Sequence, residues 1–504
     1  MESPLPDVPP IGAAEAAPTL RQDVGTAFRN AFALGTSLIA TWGVALVVRL
    51  FLPRFLGPER FGLYSFADSL AAAMLGLLSF GVDPYVQKEI PVRPEHASDF
   101  IGGVILFRSL LAAVAIATIV VVLRATGRPR EALVVFIVLG VGWTLFNVNQ
   151  SLAALLQANT TVGGLAVVNP TTKILWGVAI GLGMAFNVSL PLLAAAYALS
   201  EGTRVALLSN LVRRQMHVRW HVDLRATWAV LVVSLPYYVN ALALAVNARL
   251  DVAVLGFVIG DDATVGLFGA AANLAGLALM MVPLMFAVLM PLMSRSFQRS
   301  EDEFWSVVRR AIEGLQMVAM PVTLFLVLGS DLWVTLLFGK EYAASGVALA
   351  CLAPQFVFTY VAMLLSMSLI VLGRAWTLTR ISVAAVILHP ILAVALIHLG
   401  HRVWGPSGAL MGAALGATGT EVAAAGMLFA SLGTATFDRA NTQVLLRTVL
   451  ACALVAGLFV GLAHWGHVRL AVCAGAYVIL AFGLRAVRPQ HLMILIRQVR
   501  QARA

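Results

Sequence analysis

Residues Gly62 to Ala71 read GLYSFADSLA, and residues Gly266 to Ala275 read GLFGAAANLA. Glycine, leucine, an aromatic, and later alanine, leucine and alanine recur in the same order. Each copy follows an apolar stretch and a glycine-containing turn, LGPERF around Gly57 and IGDDATV around Gly260, and each opens a new apolar run. A recurrence spaced by about 200 residues implies two homologous halves. A weaker echo links LLQANTTVGGLAVV, from Leu155, with IVLGRAWTLTRISV, from Ile370.

The material around these copies is apolar to a degree that soluble domains do not need. Of 504 residues, 60% are hydrophobic and 12% charged, and the mean hydropathy is +0.90. Between residues 31 and 487 the apolar runs repeatedly reach about 20 residues, enough to cross about 30 Å of hydrocarbon as helix, and they place about fourteen spans. Lipid supplies no hydrogen-bond partners, so a spanning backbone is helical or forms a closed barrel. Period-two alternation is absent, which leaves helices.

The expected fold is therefore an all-α polytopic membrane protein. Residues 1–25 form a cytoplasmic tail without a secretory signal pattern, read as disordered, and 26–211 form a six-helix lobe. Residues 212–226 are a basic linker, 227–435 a second six-helix lobe, and 436–504 a C-terminal helix pair with a basic tail. Both halves begin with a span leaving the same side, so an axis along the membrane normal should relate them.

A formal net charge of +10 would suggest nucleic acid in a soluble protein. Here the cations concentrate on alternate connections, with Arg213, Arg214, Arg219 and Arg225 in one, Arg295, Arg299, Arg309 and Arg310 in another, and Arg485 to Arg503 at the end. That asymmetry puts both termini in the cytoplasm and gives the cations anionic headgroups as partners, with no role for nucleic acid. Cys351, Cys452 and Cys473 fall inside apolar runs, without a disulfide framework or CxxC motif.

Four segments carry a resemblance to a known family: PRFLGPERFGLYSFADSL from Pro53, LDVAVLGFVIGDDATVGLFGAAANL from Leu250, LLFGKEYAASGVALACLAP from Leu336, and GPSGALMGAALGA from Gly405. In their order and spacing the chain resembles the polysaccharide transporter family, the oligosaccharide flippases of the multidrug, oligosaccharidyl-lipid and polysaccharide exporter superfamily. The resemblance implies two lobes meeting in a V, with spans 1, 2, 7 and 8 around a central cationic cavity. It also implies flipping of a polyprenyl-pyrophosphate-linked oligosaccharide across a bacterial-type cytoplasmic membrane. Membrane lipids, and a glycan polymerase and glycosyltransferases of the same pathway, are the implied partners. The added C-terminal pair departs from the commoner two-lobe pattern and is similar to the lipid II flippases.

A pyrophosphate crossing hydrocarbon needs fixed cations, because an unpaired anion is prohibitively costly to desolvate. Arginine suits the role through its permanent charge and forked donors. Arg49, near the end of span 1, is the first candidate for a headgroup contact, with snorkelling to the outer headgroups as the competing reading. Lys173 lies mid-span, too deep to snorkel, and faces either a hydrated cavity or a structural partner. Arg249 contacts substrate or pairs locally with Asp251. Asn240 and Asn247 share a face of span 7, suited to sugar hydroxyls or to helix packing. Asp68 in one repeat copy is matched with Asn273 in the other, both facing one cavity wall. Asp68, Asp83 and Glu421 are the carboxylates able to take a coupling proton or cation, although a helix cap would explain Asp83 and structural burial Glu421. Gly408, Gly412 and Gly416 form a ladder for close helix approach and carry no chemistry.

No catalytic residue, metal site or cofactor is expected. His217 and His221 are four apart, but no Glu follows the first. There is no GxxxxGK[ST] loop, no GxSxG elbow and no long connection that could fold as a catalytic domain. Two alternatives remain beside flipping: a cation-coupled multidrug or metabolite exporter, and a membrane-embedded glycan polymerase or ligase, which should carry a large polar loop with paired catalytic residues.

Overall fold

The computed structural model describes residues 20–77, 80–90, 97–158, 162–216, 221–247 and 250–484. Every regular element among them is helical. The first half contains α1 (Leu20–Leu77), α2 (Val82–Glu89), α3 (Ala97–Ala125), α4 (Arg130–Ala158), α5 (Val162–Ala185) and α6 (Leu190–Met216). The second contains α7 (Leu224–Asn247), α8 (Leu250–Ile259), α9 (Asp262–Ala278), α10 (Val282–Arg299), α11 (Glu301–Leu328), α12 (Ser330–Phe338), α13 (Ser345–Leu352), α14 (Gln355–Val371) and α15 (Ala375–Leu432). The chain then adds α16 (Arg439–Gly461) and α17 (Val468–Gly483). Residues 1–19 of the expected tail lie outside the described residues, and α1 begins at Leu20, within it.

Among the described residues, seven helical stretches are long and apolar enough to cross a membrane, and three shorter apolar helices accompany them. Mid-helix side chains such as Val114 and Ile479 are 61% and 74% exposed, which in water would be a liability and in lipid is the favourable surface.

Both 58-residue helices are broken at a Gly-Pro pair, α1 at Gly57 (φ 71°) before Pro58 and α15 at Gly405 (φ 62°) before Pro406. Glycine accepts the left-handed backbone that reverses the chain, and proline is preorganised for the first turn of the next limb. The second limb of α15 folds back on its own first limb through the small-residue ladder. A Cβ on Gly408 would strike the carbonyl of Gly400, one on Gly412 the carbonyl of Leu396, and one on Gly416 would lie 2.9 Å from the Ala393 Cα. Other starts are set by polar caps. Ser300 accepts from the Glu303 amide at 3.1 Å, Asp438 from Asn441 at 2.7 Å, and Asp261 from Thr264 at 3.0 Å. The C-terminal pair packs on α11, where Ala451, Val455, Cys473 and Tyr477 close over Leu324.

The two repeat copies pack directly on each other. A Cβ on Gly62 would collide with the Asp262 carbonyl, and one on Gly266 with the Pro58 carbonyl, so the second limb of α1 and α9 touch backbone to backbone. Around this contact the turns at Gly57, Arg128, Gly260 and Tyr342 gather at one end of the molecule, here the Gly57 end. Arg128, between α3 and α4, pairs with Asp262 at 2.7 Å, donates to the Gly256 carbonyl and lies 4.5 Å from the centroid of the Phe66 ring. Phe66 meets Phe257 edge to face at 5.3 Å, and the buried Tyr342 donates to the Pro53 carbonyl at 2.7 Å. Burial, against the opposing pull of Arg128, holds the Asp262 carboxyl above the usual carboxylate range.

At the opposite end α7 leans on the first half, with Gly103 against Thr227 and Phe80 stacked on Tyr238 at 5.1 Å. Arg128→Ala removes three contacts of the closure at once. A lost charge-assisted contact costs about 1.5–3 kcal/mol, enough for a shift of roughly 10-fold or more toward an opened Gly57 end. The measurement is the rate at which a Cys at Ser65, which is 9% exposed, reacts with an impermeant thiol reagent; an unchanged rate contradicts this account of the closure.

Candidate functional site

Polar residues inside the first half converge from four helices, α1, α4, α5 and α6, rather than scattering. Lys173 on α5 places its ammonium 4.7 Å from the Trp176 ring centroid and 5.6 Å from that of Tyr197 on α6. It lies within electrostatic reach of Arg49, Asp68, Glu201 and Arg204. Asp68, on the second limb of α1, accepts from the Trp143 indole at 2.9 Å. Glu201 is 2% exposed and is held by Asn149 at 2.9 Å, while Arg204 lies 3.6 Å from Glu201 and donates to Asn169 at 2.9 Å. Three cations therefore face two carboxylates, an excess of positive charge within a bundle whose outer surface is apolar.

Beside this cluster the first limb of α1 and α5 form an apolar groove lined by Gly43, Val44, Val47, Val48, Ile174, Gly177 and Val178. Val48 and Ile174 are the chain neighbours of Arg49 and Lys173. Charge and apolar surface thus lie next to each other on the same two helices. This is the arrangement an amphiphile with an anionic head and a hydrocarbon tail requires.

A second buried group ties α2 to α3 and α4. Arg108, 3% exposed, pairs with Asp83 at 3.3 Å and donates to Asn147 at 3.1 Å and to Ser151 at 2.6 Å; Ser151 in turn donates to Asp83 at 2.9 Å. Asp83 is thus engaged by an arginine, and Gly81, not Asp83, stands at the cap position of α2.

In the second half, Asp251 stands 2.8 Å from the Nε2 of His389, and Glu421 lies near both. These are the neighbours of Glu421 that the sequence alone could not name. Arg249 lies outside the described residues, as do the side chains of Asn240 and Asn247. Asn273 is partly buried on α9. Counting from Gly62 and Gly266 sets Asp68 against Ala272 and Ser69 against Asn273, so the matching of Asp68 with Asn273 is one residue out of register. On a helix that step is a rotation of about 100°, which turns the two side chains to different faces. Asp68 accordingly points to α4.

Arg108, Arg128, Glu201, Arg204 and His389 were not singled out from the sequence. Each is an ionisable residue within or at the edge of an apolar run, and that alone is the signal that marks intramembrane polar sites. Removing one partner of a buried ion pair costs about 3–5 kcal/mol because the other charge is left uncompensated. Asp83→Ala should therefore lower the thermal unfolding midpoint of the purified protein markedly, and the double variant Asp83→Leu with Arg108→Met should recover much of the loss. Equal midpoints for Asp83→Ala and the parent would show that the pair contributes nothing.

Comparison with known proteins places this geometry. The structure is similar to lipid II flippase MurJ in an inward closed conformation, with a TM-score of 0.63 and 13% identity over 88% of this chain and 99% of that one. It is also similar to an inward-facing multidrug resistance MATE family transporter of the MOP superfamily, with a TM-score of 0.56 and 17% identity over 76% of this chain and 95% of that one. A MOP superfamily transporter from Pyrococcus furiosus gives a TM-score of 0.56 and 16% identity over 81% of this chain and 96% of that one. Identities this low establish a shared fold. No curated protein matches the chain. The model of one sequence family, described as polysaccharide biosynthesis protein, matches residues 27–297, more than half of the chain, and the chain belongs to that family.

Proposed function

We propose that the protein is a flippase that carries a polyprenyl-pyrophosphate-linked oligosaccharide across the cytoplasmic membrane by alternating access. One observation carries the reading: Arg49, Lys173 and Arg204 outnumber Asp68 and Glu201 inside an apolar bundle. A surplus of positive charge in such a bundle favours a visiting anion. A pyrophosphate offers what guanidinium and ammonium groups bind, and the α1–α5 groove offers the adjoining tail an apolar path. Membership in a polysaccharide biosynthesis family fits a glycan headgroup.

In this reading the Gly57 end faces outward, because Arg213, Arg214, Arg295, Arg299 and Arg309 all lie toward the other end. Both termini are then cytoplasmic, and residues 26–211 and 227–435 act as the two rocking lobes. Asp68, close to the cationic cluster, balances its charge when the substrate is absent. Arg249, Asn240, Asn247 and Asn273 complete the headgroup contacts from the second lobe. A glycan polymerase and glycosyltransferases would act downstream and upstream of the step.

The test uses proteoliposomes loaded with a fluorescent polyprenyl-pyrophosphate oligosaccharide, read by quenching from outside. Each charge-assisted phosphate contact is worth about 1.5–3 kcal/mol, so Arg49→Gln and Lys173→Gln should each slow flipping by about 10- to 100-fold at unchanged expression. Full rates in both variants overturn the assignment. An exporter of free small molecules would instead confer resistance to cationic drugs on a sensitive host, with no movement of the lipid-linked glycan.

A further inference from the structure

The first half holds its buried lysine by aromatic rings. On α5, Asn169, Lys173 and Trp176 follow one another at spacings of four and three, and on the antiparallel α6 so do Tyr197, Glu201 and Arg204, so each set shares one helix face. The two faces meet: Arg204 donates to Asn169 at 2.9 Å, and the Lys173 ammonium lies 5.6 Å from the Tyr197 ring centroid and 4.7 Å from that of Trp176. The carboxylates of the cluster turn to other donors. Glu201 accepts from Asn149 and lies 3.6 Å from Arg204, while Asp68 accepts from the Trp143 indole. Among the described residues Lys173 forms no ion pair.

This aromatic seat is built into the packing. A Cβ on Gly142 of α4 would come within 2.7 Å of the Tyr197 ring, so that glycine leaves the ring its room, and Trp143 flanks the same ring with centroids 5.7 Å apart. Ring faces attract an ammonium without taking its N–H groups in directed hydrogen bonds, so those groups stay available to another acceptor. A carboxylate in the same place would occupy them and cancel the charge that an incoming anion needs. Two further donors of the cluster, the Trp176 indole N–H and the Arg204 Nε, are buried and meet no acceptor among the described residues. Buried donors are almost always paired, so a set of them beside a ring-held ammonium suits a ligand rich in acceptor oxygens.

We propose that Trp176 binds the headgroup directly: its indole N–H donates to a pyrophosphate oxygen while its ring stations the Lys173 ammonium against the same anion. Tyr197 is a positioning residue that holds this ammonium from α6. The assignment rests on the flippase reading above and names a contact within it that is neither cationic nor acidic. Ile174, Gly177 and Val178, the chain neighbours of Lys173 and Trp176, line the apolar groove, so head and tail contacts alternate along α5.

The test is equilibrium binding to the full-length protein in nanodiscs, by calorimetry, with inorganic pyrophosphate and farnesyl pyrophosphate as probes. The first probe is the anion alone, and the second adds a prenyl tail. Trp176→Phe keeps a ring and removes the N–H, so it should weaken both probes by about 10-fold and by the same factor, because the lost contact is to the head they share. Tyr197→Leu should weaken both by about 5-fold, and Tyr197→Phe, which returns the ring, should recover most of that loss. Thermal unfolding midpoints check that each variant is folded; should Tyr197→Leu not be, the ring-keeping Trp176→Phe decides. Parent affinity in Trp176→Phe, with binding lost in Lys173→Gln, overturns the assignment and leaves the flippase reading standing. A loss confined to farnesyl pyrophosphate also overturns it, since Trp176 would then pack on the tail. A parent that binds neither probe overturns both.

Discussion

Hydrocarbon gives a polar group nothing to bond to, and that constraint orders the rest of this molecule. It makes every regular element among the described residues a helix, leaves valines and isoleucines bare on the outside, and forces each ionisable side chain within the bundle toward another. The result is three small polar territories: Arg108 with Asp83, the Lys173 group with its surplus of cations, and Asp251 with His389 and Glu421. The first is balanced and reads as scaffold. The other two are unbalanced in opposite senses, the first richer in cations and the second richer in carboxylates.

Much of the fold was legible in the sequence because membrane insertion leaves a strong pattern. Apolar runs of spanning length, the recurrence of GLYSFADSLA as GLFGAAANLA, and the Gly408 ladder each encode a single physical demand. The ladder is a case in point: three glycines at spacing four predict a close approach, and the carbonyls of Gly400 and Leu396 fill it. The site was less legible. Lys173 and Glu421 stand out as lone charges, but their neighbours Arg204, Glu201, His389 and Asp251 lie 28 or more residues away in the chain, and only packing brings them together. Arg128 reads as an ordinary loop cation until Asp262, 134 residues on, is seen beside it. Pairing across helices is a property of rotation and depth, and a one-residue slip in register was enough to misassign the mate of Asp68.

The backbone-to-backbone seat of α9 on the second limb of α1 bears on how such a molecule can change shape. With Gly62 under the Asp262 carbonyl and Gly266 under the Pro58 carbonyl, no side chain lies between the two copies at that point. Faces that meet without intervening side chains have little room to slide, so they separate together or stay seated, like the halves of a snap fastener.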